Sequence, residues 1–553
     1  MKILGIGGSD HDFSAVILDN GKVIVAIEDE RVTRIKHGRG KWYSIPTQPS
    51  VYYCLKEAEL EISSIDYIFS NRHLEKYAYS QKIENIHSIS HHLSHAAGTF
   101  FPSPFSKAAV VVIDGAGSRV SETPSEVELE TISFGVGKNN KVEIKVIQTG
   151  KRKIATCFWR YMTSNSIGSF YEAVTEAIGF GSYGAGKTMG LASYGDSSLY
   201  EEMVEFVEIL PEGRFHFNPY SGFFDWILSK LNGSKNPFKI RANLAASAQR
   251  IFEEAILNTV KYIYECTKLD YLCYGGGCAL NSVANTKIVK ETPFEKLFIY
   301  PATADDGTAI GAAYYGYYHI LDNPREPQNP TEIGSIVYTG KEYSEVEILE
   351  ILNNYPVFSY RPENLYDDVA WRLYNQEVIG WFQGRSEIGP RALGNRSILA
   401  DPTFPQMRDY INLKIKYRET FRPLAPVVIE EEAKEYFELD QPSPFMLLVA
   451  PVKKECRRKL AAVTHIDGTS RLQTVNIRTN ERLYRLLVSF KRFRGYPVLL
   501  NTSFNVQGQP IVETPEQALK CFLETELNTL VIGDYIVEKH TPWADRKLPE
   551  VFR

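Results

Sequence analysis

The first thirty residues alternate apolar runs with polar turns, a pattern that predicts three short strands. The runs are ILGIGG, SAVILD and KVIVAIEDE. Asp19-Asn20-Gly21 separates the second run from the third, and Asn-Gly readily adopts the positive φ that a tight hairpin turn requires. The pattern therefore predicts a strand, a glycine loop and then a hairpin.

The same pattern returns further along the chain. AAVVVIDGAG predicts a strand that ends in a glycine loop, and ETISFGVG and KVEIKVIQT flank a turn at Lys138-Asn139-Asn140. Each copy is followed by stretches with helical spacing of apolar residues. Two copies of one strand–loop–hairpin pattern predict a duplicated α/β architecture.

The middle of the chain is mostly helical by its pattern, as in NLAASAQRIFEEAILNTVKYIYECT. Strand–loop–helix patterns follow in YLCYGGGCALN and KLFIYPATADDGTAIGAAYYGYYHIL. A Pro- and Asn-rich stretch at 322–332 predicts a surface break near the end of a first domain. From about 345, strands and helices alternate again. We therefore predict two domains, 1–344 and 345–553.

Length and composition agree with this division. The chain has 553 residues, and single cores stop growing near ~250–300 residues. The formal net charge of −5 gives no support to nucleic-acid binding. No apolar run approaches the ~20 residues of a membrane helix, and the N-terminus is too polar for a secretory signal. Seven cysteines without a CxxC pair predict reduced thiols and a cytoplasmic location.

A histidine-rich segment is the first candidate for chemistry. His91 and His95 are four residues apart, so a helix would place both on one face at a metal-chelating distance. His92 with His95 is the alternative pair. Asp114 ends an apolar strand and Asp306 precedes a predicted helix, with its neighbour Asp305 as the alternative. Two imidazoles with one or two carboxylates suit Fe(II), Zn or Mn.

Glycine loops and two further residues give weaker signals. The loops at 5–8, 115–117, 184–187 and 275–277 could receive phosphate, although none fits a P-loop or a dinucleotide fingerprint. Each alone is equally well a tight turn. His11, at a loop tip, is either a general base for a hydroxyl or a satisfied loop histidine. Lys36 is either a substrate ligand or a solvated charge.

The C-terminal half carries a different chemistry. Its basic residues alternate with Gly, Pro and apolar residues, whereas solvated charges usually occur in runs. Arginine forks match the oxygens of phosphate and carboxylate, so this pattern predicts a pocket for a polyanion. The residues concerned are Arg385, Arg391, Arg396, Lys416, Arg418, Arg422, Arg471, Asn501, Ser503 and Asn505.

Ten ordered segments resemble one enzyme family, that of the nodulation-factor, cephamycin and tobramycin O-carbamoyltransferases. They are RIKH, HHLSHAA, VVIDGAGS, GKTMGLASYG, GGGCALN, DDGTAIGAA, GRSEIGPRALGNRSILADP, KYRETFRPLAP, THIDGTSRLQTV and NTSFNVQGQPIV. The resemblance covers nearly the whole chain. It implies an N-terminal duplicated, actin-like α/β domain and a C-terminal α+β, carbamoyl-adenylating (YrdC-like) domain.

The resemblance also implies a reaction and roles for residues. Carbamoyl phosphate and ATP, with Mg²⁺, give carbamoyladenylate in the C-terminal domain, and the carbamoyl group then passes to a hydroxyl of a small-molecule acceptor. His11 would be the base and Lys36 would act on the acceptor side. The implied ligands of Fe(II) or another divalent metal are His91, His95, Asp114 and Asp306. The implied nucleotide and carbamoyl phosphate contacts are Arg391, Lys416, Arg418, Arg422, Arg471, Asn501 and Ser503, with Gly276, Gly277 and Asn281.

Other functions remain open at this stage. A threonylcarbamoyl-tRNA-type enzyme shares the same ancestry, but the acidic net charge disfavours it. An actin-like sugar kinase would leave the C-terminal arginines unexplained, and a scaffolding protein would leave all of these groups without a ligand. Neither the acceptor nor the oligomeric state follows from the sequence, which leaves a homodimer open.

Overall fold

A computed structural model describes residues 1–9, 11–38, 45–74, 86–154 and 162–539 of the chain. The chain divides into two compact units. The first unit comprises residues 1–24 and 40–328, and the second comprises 25–39 and 329–553. The division at 328/329 falls within the Pro- and Asn-rich stretch, before the 344/345 boundary of the sequence prediction. The segment 25–39, which the prediction placed in the first domain, belongs to the second unit.

The first sheet joins a hairpin to parallel strands, and the division between the units at 24/25 falls within its strand Lys22–Glu28. The strand order of this sheet is β3-β2-β1-β4-β5. Strands β1 and β2 are antiparallel, whereas β1, β4 and β5 are mutually parallel neighbours. The strands are β1 Lys2–Gly7, β2 Ser14–Asp19, β3 Lys22–Glu28, β4 Tyr67–Asn71 and β5 Ile86–Ile89.

The second sheet repeats this arrangement. Strand β8 pairs antiparallel with β6 and with β9, and β6, β12 and β13 are parallel neighbours. The order β9-β8-β6-β12-β13 thus matches that of the first sheet, which confirms the predicted duplicated α/β architecture. The strands are β6 Lys107–Ile113, β7 Arg119–Glu122, β8 Glu126–Lys138, β9 Lys141–Lys153, β12 Tyr271–Gly275 and β13 Lys296–Phe298, with a separate hairpin of β10 Val207–Leu210 and β11 Arg214–Phe217.

Helices cover these sheets, and the longest shows how the sequence sets its ends. Pro237–Thr267 begins where the Asn236 side chain accepts a hydrogen bond from the Lys239 amide, and it ends at Lys268 with φ 51°. The other α-helices described in this unit are Pro49–Glu57, His91–Phe100, Ile167–Ala177, Ala185–Ala192, Tyr200–Met203, Phe223–Asn232, Ser282–Glu291 and Thr308–Tyr314.

The first glycine loop serves close packing. The helix Thr308–Tyr314 lies directly on β1, and a Cβ at Gly7 would come 2.0 Å from the Ala309 amide nitrogen. The Gly8 amide then donates to Thr308 Oγ1 at 2.8 Å. Glycine is therefore required at position 7 for the approach of a helix, whatever else the loop binds.

The second unit is built on one mixed sheet. Its order is β14-β22-β21-β15-β16-β20-β17-β19-β18, with parallel pairs β15/β21 and β17/β19. The strands are β14 Phe358–Tyr360, β15 Ile379–Phe382, β16 Arg396–Ala400, β17 Ala425–Ile429, β18 Leu448–Pro451, β19 Thr469–Val475, β20 Val498–Ser503, β21 Thr529–Ile532 and β22 Tyr535–Glu538.

Both faces of this sheet contribute to one apolar core, which includes the fully buried Trp381. The α-helices described are Asp29–Thr33, Glu345–Asn353, Leu365–Tyr374, Gln406–Tyr410, Ala433–Tyr436, Glu481–Arg494 and Pro515–Glu524. Within the described parts of the chain, no helix combines the length and the apolar character that crossing a membrane requires. No disulfide joins the described cysteines.

Candidate functional site

The helix His91–Phe100 positions the two predicted metal-binding histidines. It begins at Ser90, whose Oγ accepts a hydrogen bond from the Leu93 amide at 3.2 Å. The buried Glu130 carboxylate accepts from Ser90 Oγ at 3.2 Å and from the Ser118 amide at 2.9 Å. This carboxylate therefore ties the start of the helix to the loop that follows β6.

Four side chains converge beside this helix, and we call them the His–Asp group: His91, His95, Asp114 and Asp305. The Nε2 atoms of His91 and His95 are 3.0 Å apart. His91 Nε2 lies 3.2 Å from Asp114 Oδ2 and 3.3 Å from Asp305 Oδ1. All four side chains are buried, and their four ligand atoms lie within 4.8 Å of one another.

The fourth member of the group corrects the sequence prediction, which named Asp306. The structure brings the Asp305 carboxylate to the histidines, while the Asp306 carbonyl accepts a hydrogen bond from Ser14 Oγ at 2.6 Å. Both residues belong to the 3-10 turn Asp305–Gly307. Successive side chains in such a turn point about 120° apart, so only one of the two can face His91.

His92, the alternative partner of His95, faces another way. Its Nδ1 lies 2.7 Å from Ser133 Oγ on β8, and burial lowers the pKa of this imidazole to about 3. A Cβ at Gly117 would come 2.5 Å from the His92 ring. His92 thus supports the 115–117 loop, and the pair that the structure brings together is His91 with His95.

Charges within the His–Asp group compensate one another. Burial acts to lower the pKa of His91, but the charge of Asp305 and the bonds to both carboxylates outweigh it and raise the pKa to about 10. Burial acts to raise the pKa values of Asp114 and Asp305, yet the histidines hold both below the usual range. Two imidazole nitrogens and two carboxylate oxygens in this proximity fit a divalent transition metal.

His11 joins the same site from the loop after β1. Its Nε2 lies 4.0 Å from Asp305 Oδ2 and its Nδ1 lies 3.0 Å from Asp12 Oδ2. The ring of Tyr183 packs edge-on against the imidazole at 4.7 Å. Burial acts to lower the pKa of His11, but Asp12 and the nearby Asp305 and Asp114 raise it to about 9. The sequence-predicted base therefore borders the group.

The fourth predicted glycine loop, at 275–277, and Asn281 after it have a structural role. The Gly277 amide donates to Asp114 Oδ1 at 3.1 Å, so the loop orients a member of the His–Asp group. Gly276 has φ +94°, and Asn281 begins the helix Ser282–Glu291 by accepting from the Ala284 amide. Nucleotide binding by Gly276, Gly277 and Asn281 stays a prediction.

In the second unit, one buried carboxylate folds the arginine-rich segment 384–397. Glu387 Oε1 accepts hydrogen bonds from the amides of Leu393 and Asn395, both at 2.7 Å. Arg396 is buried and donates to the Gln383 carbonyl at 2.6 Å. The loop that Glu387 closes carries Arg391.

The three arginines of this segment have different roles. Arg385 donates to the Gly340 and Thr339 carbonyls, both at 2.7 Å, and Arg396 likewise bonds backbone carbonyls. Arg391 Nε is buried and has no hydrogen-bond partner within the described ranges. Arg385 and Arg396 therefore hold the fold together, whereas ligand binding by Arg391 stays a prediction.

Arg391 belongs to what we call the arginine cluster: Arg391, Arg418, Arg422 and Arg471. Burial lowers the pKa of Arg471 well below its usual value, and the charges of the other three arginines lower it further. Burial and the charge of Arg422 lower the pKa values of Arg391 to about 10 and of Arg418 to about 9. Arg471 Nε, like that of Arg391, is buried without a partner among the described residues.

The remaining predicted C-terminal residues, Lys416, Asn501 and Ser503, also lie in the second unit. Lys416 is buried, and its Nζ donates to Ser503 Oγ at 2.9 Å and to Asn505 Oδ1 at 2.6 Å. Asn501 donates to Gln473 Oε1 at 2.7 Å, while its own Oδ1 is buried without a partner in the described structure. The structure thus brings Lys416 and Ser503 into direct contact.

Two family models match the chain. One, described as the carbamoyltransferase N-terminus, matches residues 2–82 and 72–314, and one, described as the carbamoyltransferase C-terminus, matches residues 370–539. The chain belongs to the carbamoyltransferase family. This finding confirms the predicted family and the predicted class of enzyme.

Individual relatives agree with the family models. Nodulation protein NolNO of Sinorhizobium fredii is 34% identical over 96% of this carbamoyltransferase and 79% of NolNO. The 3'-hydroxymethylcephem-O-carbamoyltransferase of Streptomyces clavuligerus is 32% identical over 63% of this chain and 64% of that enzyme. Full-length HypF in its phosphate- and nucleotide-bound form covers 58% of this chain and 56% of its own at 15% identity, with a TM-score of 0.37, too low to support an inference.

Lys36 of this carbamoyltransferase lies in the second unit, although the sequence prediction assigned it to the acceptor side of the first domain. Its Nζ bonds both carboxylate oxygens of Glu30, at 2.7 and 2.9 Å. The charge of Lys36 contributes to the lowered pKa of Lys416, after burial and the charges of Arg418 and Arg422. A catalytic role for Lys36 stays a prediction.

The sequence prediction missed His73, which lies beside the His–Asp group. Its ring centre is 4.5 Å from that of His91, and the rings meet edge to face at 80°. His73 follows β4, which is parallel to β1 and β5. The carboxyl ends of parallel strands lie at the same edge of a sheet. A histidine just after β4 could therefore have been predicted to lie near the loops that follow β1 and β5.

Proposed function

We propose that this carbamoyltransferase is an ATP-dependent O-carbamoyltransferase that forms carbamoyladenylate in the second unit and transfers the carbamoyl group to a hydroxyl in the first. The observation that carries the proposal is the arginine cluster, which keeps four like charges together and leaves the Nε atoms of Arg391 and Arg471 buried without a described partner. Polyanionic co-substrates supply the missing charge.

The second unit would activate the carbamoyl group. Water hydrolyses carbamoyl phosphate to carbamate and inorganic phosphate, and a carbamate oxygen then attacks the α-phosphorus of Mg²⁺-bound ATP. A new C–O–P bond forms and pyrophosphate leaves. Arg391 and Arg471 neutralise the two anions so that they can approach each other, which is positioning and electrostatic work and needs no covalent step by the protein.

The first unit would carry out the transfer. The acceptor hydroxyl oxygen attacks the carbamoyl carbon, its proton passes to His11 Nε2, and AMP leaves. His11 lies beside Asp305 with Nδ1 held by Asp12, so its Nε2 is directed toward the His–Asp group. Balancing the carboxylates by a bound cation returns the pKa of His11 toward its ordinary value, which leaves the imidazole able to accept a proton.

The His–Asp group would hold the metal for this step. His91 and His95 supply nitrogen ligands, and Asp114 and Asp305 supply oxygen ligands. Fe(II) or another divalent ion bound there would act as a Lewis acid toward the carbamoyl carbonyl oxygen. The Gly277 amide keeps Asp114 aimed at the two histidines.

A small molecule is the acceptor we favour, a natural product or a sugar. Support comes from the relatives, which include enzymes named for O-carbamoylation of a 3'-hydroxymethylcephem.

Mass spectrometry of acceptors tests the proposal. The full chain is incubated with ATP, carbamoyl phosphate, Mg²⁺ and Fe(II), together with a panel of aminoglycosides, hydroxymethyl antibiotics and sugars. We expect a mass gain of one carbamoyl group, dependent on both ATP and carbamoyl phosphate. Formation of ADP without carbamoyl phosphate would instead indicate a kinase and contradict the proposal.

A further inference from the structure

His91 has two ring nitrogens, and only Nε2 points into the His–Asp group. His91 Nε2 faces His95, Asp114 and Asp305, so it is the atom available to a metal. A histidine that binds metal through Nε2 carries its proton on Nδ1. His91 Nδ1 is buried and has no hydrogen-bond partner within the described ranges. A buried N–H without an acceptor is costly, so a nearby acceptor is expected.

The nearest candidate acceptor is His73. Its Nε2 is also buried without a partner among the described residues, and its ring meets that of His91 edge to face with the centres 4.5 Å apart. The χ2 torsion of a histidine is broad, so the His73 ring can turn toward His91 Nδ1 while His91 Nε2 keeps its place in the His–Asp group. Two neighbouring rings thus each have one buried nitrogen without a described partner, and a single hydrogen bond between them would satisfy both.

Backbone and side-chain hydrogen bonds also connect His73 to Asp305, another member of the group. The His73 amide donates to Asn71 Oδ1 at 3.1 Å, and Asn71 Nδ2 donates to Thr308 Oγ1 at 2.9 Å. Thr308 Oγ1 in turn donates to the Asp305 carbonyl at 2.6 Å. One chain of hydrogen bonds therefore holds both His73 and Asp305, which lie on different elements.

We propose that His73 is a positioning residue for the metal, whose Nε2 accepts the hydrogen bond from His91 Nδ1–H and so fixes the tautomer and orientation in which His91 binds a divalent cation. The proposal rests on the metal site of the proposed function and extends it. Partners of this kind fix the ring and raise the basicity of the ligand nitrogen, and their loss typically weakens metal binding about 10- to 100-fold.

Co(II) titration of the full chain tests the proposal, with absorption spectroscopy to report the ligand field and circular dichroism to report folding. His73→Phe keeps a ring of similar shape but no acceptor, whereas His73→Gln restores an acceptor. His87→Phe is the matched control, because His87 is exposed on β5 and stacks on Phe69 at 5.0 Å.

We expect His73→Phe to bind Co(II) at least about ten-fold more weakly, with a changed visible spectrum. His73→Gln should recover part of both, and His87→Phe should match the unmodified chain. Pyrophosphate release from ATP and carbamoyl phosphate should be unchanged in all three variants. If His73→Phe matches the unmodified chain in affinity and spectrum, the role of His73 is refuted while the metal site stands. If the unmodified chain binds no Co(II), both the metal site and the role of His73 are refuted.

Discussion

The two clusters of buried charge in this carbamoyltransferase differ in how their charges are balanced. In the His–Asp group, two imidazoles face two carboxylates, and the ligand atoms are at most 4.8 Å apart. In the arginine cluster, the guanidinium groups act on one another, and Glu419 is the acidic residue whose charge acts on Arg418 and Arg422. Groups of opposite charge face one another in the first cluster, whereas groups of like charge face one another in the second.

This difference indicates what each cluster recognises. A buried set of nitrogen and oxygen donors releases its protons when it binds a metal ion. A cluster of like charges in a protein interior costs folding free energy until an anion binds. We therefore expect the two sites to bind different ligands, and a substitution in one site to leave ligand binding at the other unchanged.

The largest effects should follow loss of the arginine cluster. In Arg391→Ala or Arg471→Ala, pyrophosphate release from ATP plus carbamoyl phosphate should fall about a hundred-fold or more, because each change removes a charge-assisted contact worth about 3 kcal/mol. Co(II) binding should not change. The control is Arg361→Ala, since Arg361 is exposed and pairs with Glu345 and Asp534 on the surface. Near-normal pyrophosphate release in the cluster variants would contradict the assignment of this pocket.

The reciprocal experiment removes an imidazole. His91→Ala and His95→Ala should lose bound metal and carbamoyl transfer but still release pyrophosphate, since the two clusters lie in different compact units. The remaining carboxylates are hard ligands with little preference for iron or zinc. Metal content by elemental analysis and transfer by mass spectrometry provide the measurements. Full metal and full transfer in His91→Ala would refute the metal site.

Much of this comparison was accessible from the sequence. The two hairpins, the helical spacing of His91 and His95, and the interleaving of arginines with Gly and Pro predicted the duplicated sheets and both clusters. These signals are local, because hydrophobic period and turn chemistry act over a few residues.

Other features depend on tertiary contacts and could not be predicted. Choosing Asp305 over Asp306 required knowing which side chain of the turn Asp305–Gly307 points toward His91. Assigning Arg385 and Arg396 to the fold required their carbonyl partners. The segment 25–39 joins the second unit although it lies early in the chain, and composition gives no signal of that.

A pair of neighbouring substitutions sharpens the corrected assignment. Asp305→Asn removes a carboxylate charge 3.3 Å from His91 Nε2, so Co(II) affinity should fall about ten-fold or more. Asp306→Asn is the matched variant, and its metal affinity should stay within about two-fold of the unmodified chain, the size expected of a substitution outside the ligand set. A larger loss in Asp306→Asn than in Asp305→Asn would restore the original sequence prediction.

The smallest expected effect is a rise in thermal stability when phosphate binds the like charges of the arginine cluster. Inorganic phosphate at ten times its dissociation constant should stabilise the chain by about 1.4 kcal/mol, because it binds the folded arginine cluster and not the unfolded chain. For a unit of this size, each kcal/mol raises Tm by about 2–4 °C. Calorimetry at constant ionic strength, with chloride replacing phosphate as the control, separates this binding from general screening. Arg471→Ala should abolish most of the shift, whereas His91→Ala should retain it. An equal Tm shift in Arg471→Ala and the unmodified chain would show that phosphate binds elsewhere. The proposed anion site in the arginine cluster would then be refuted.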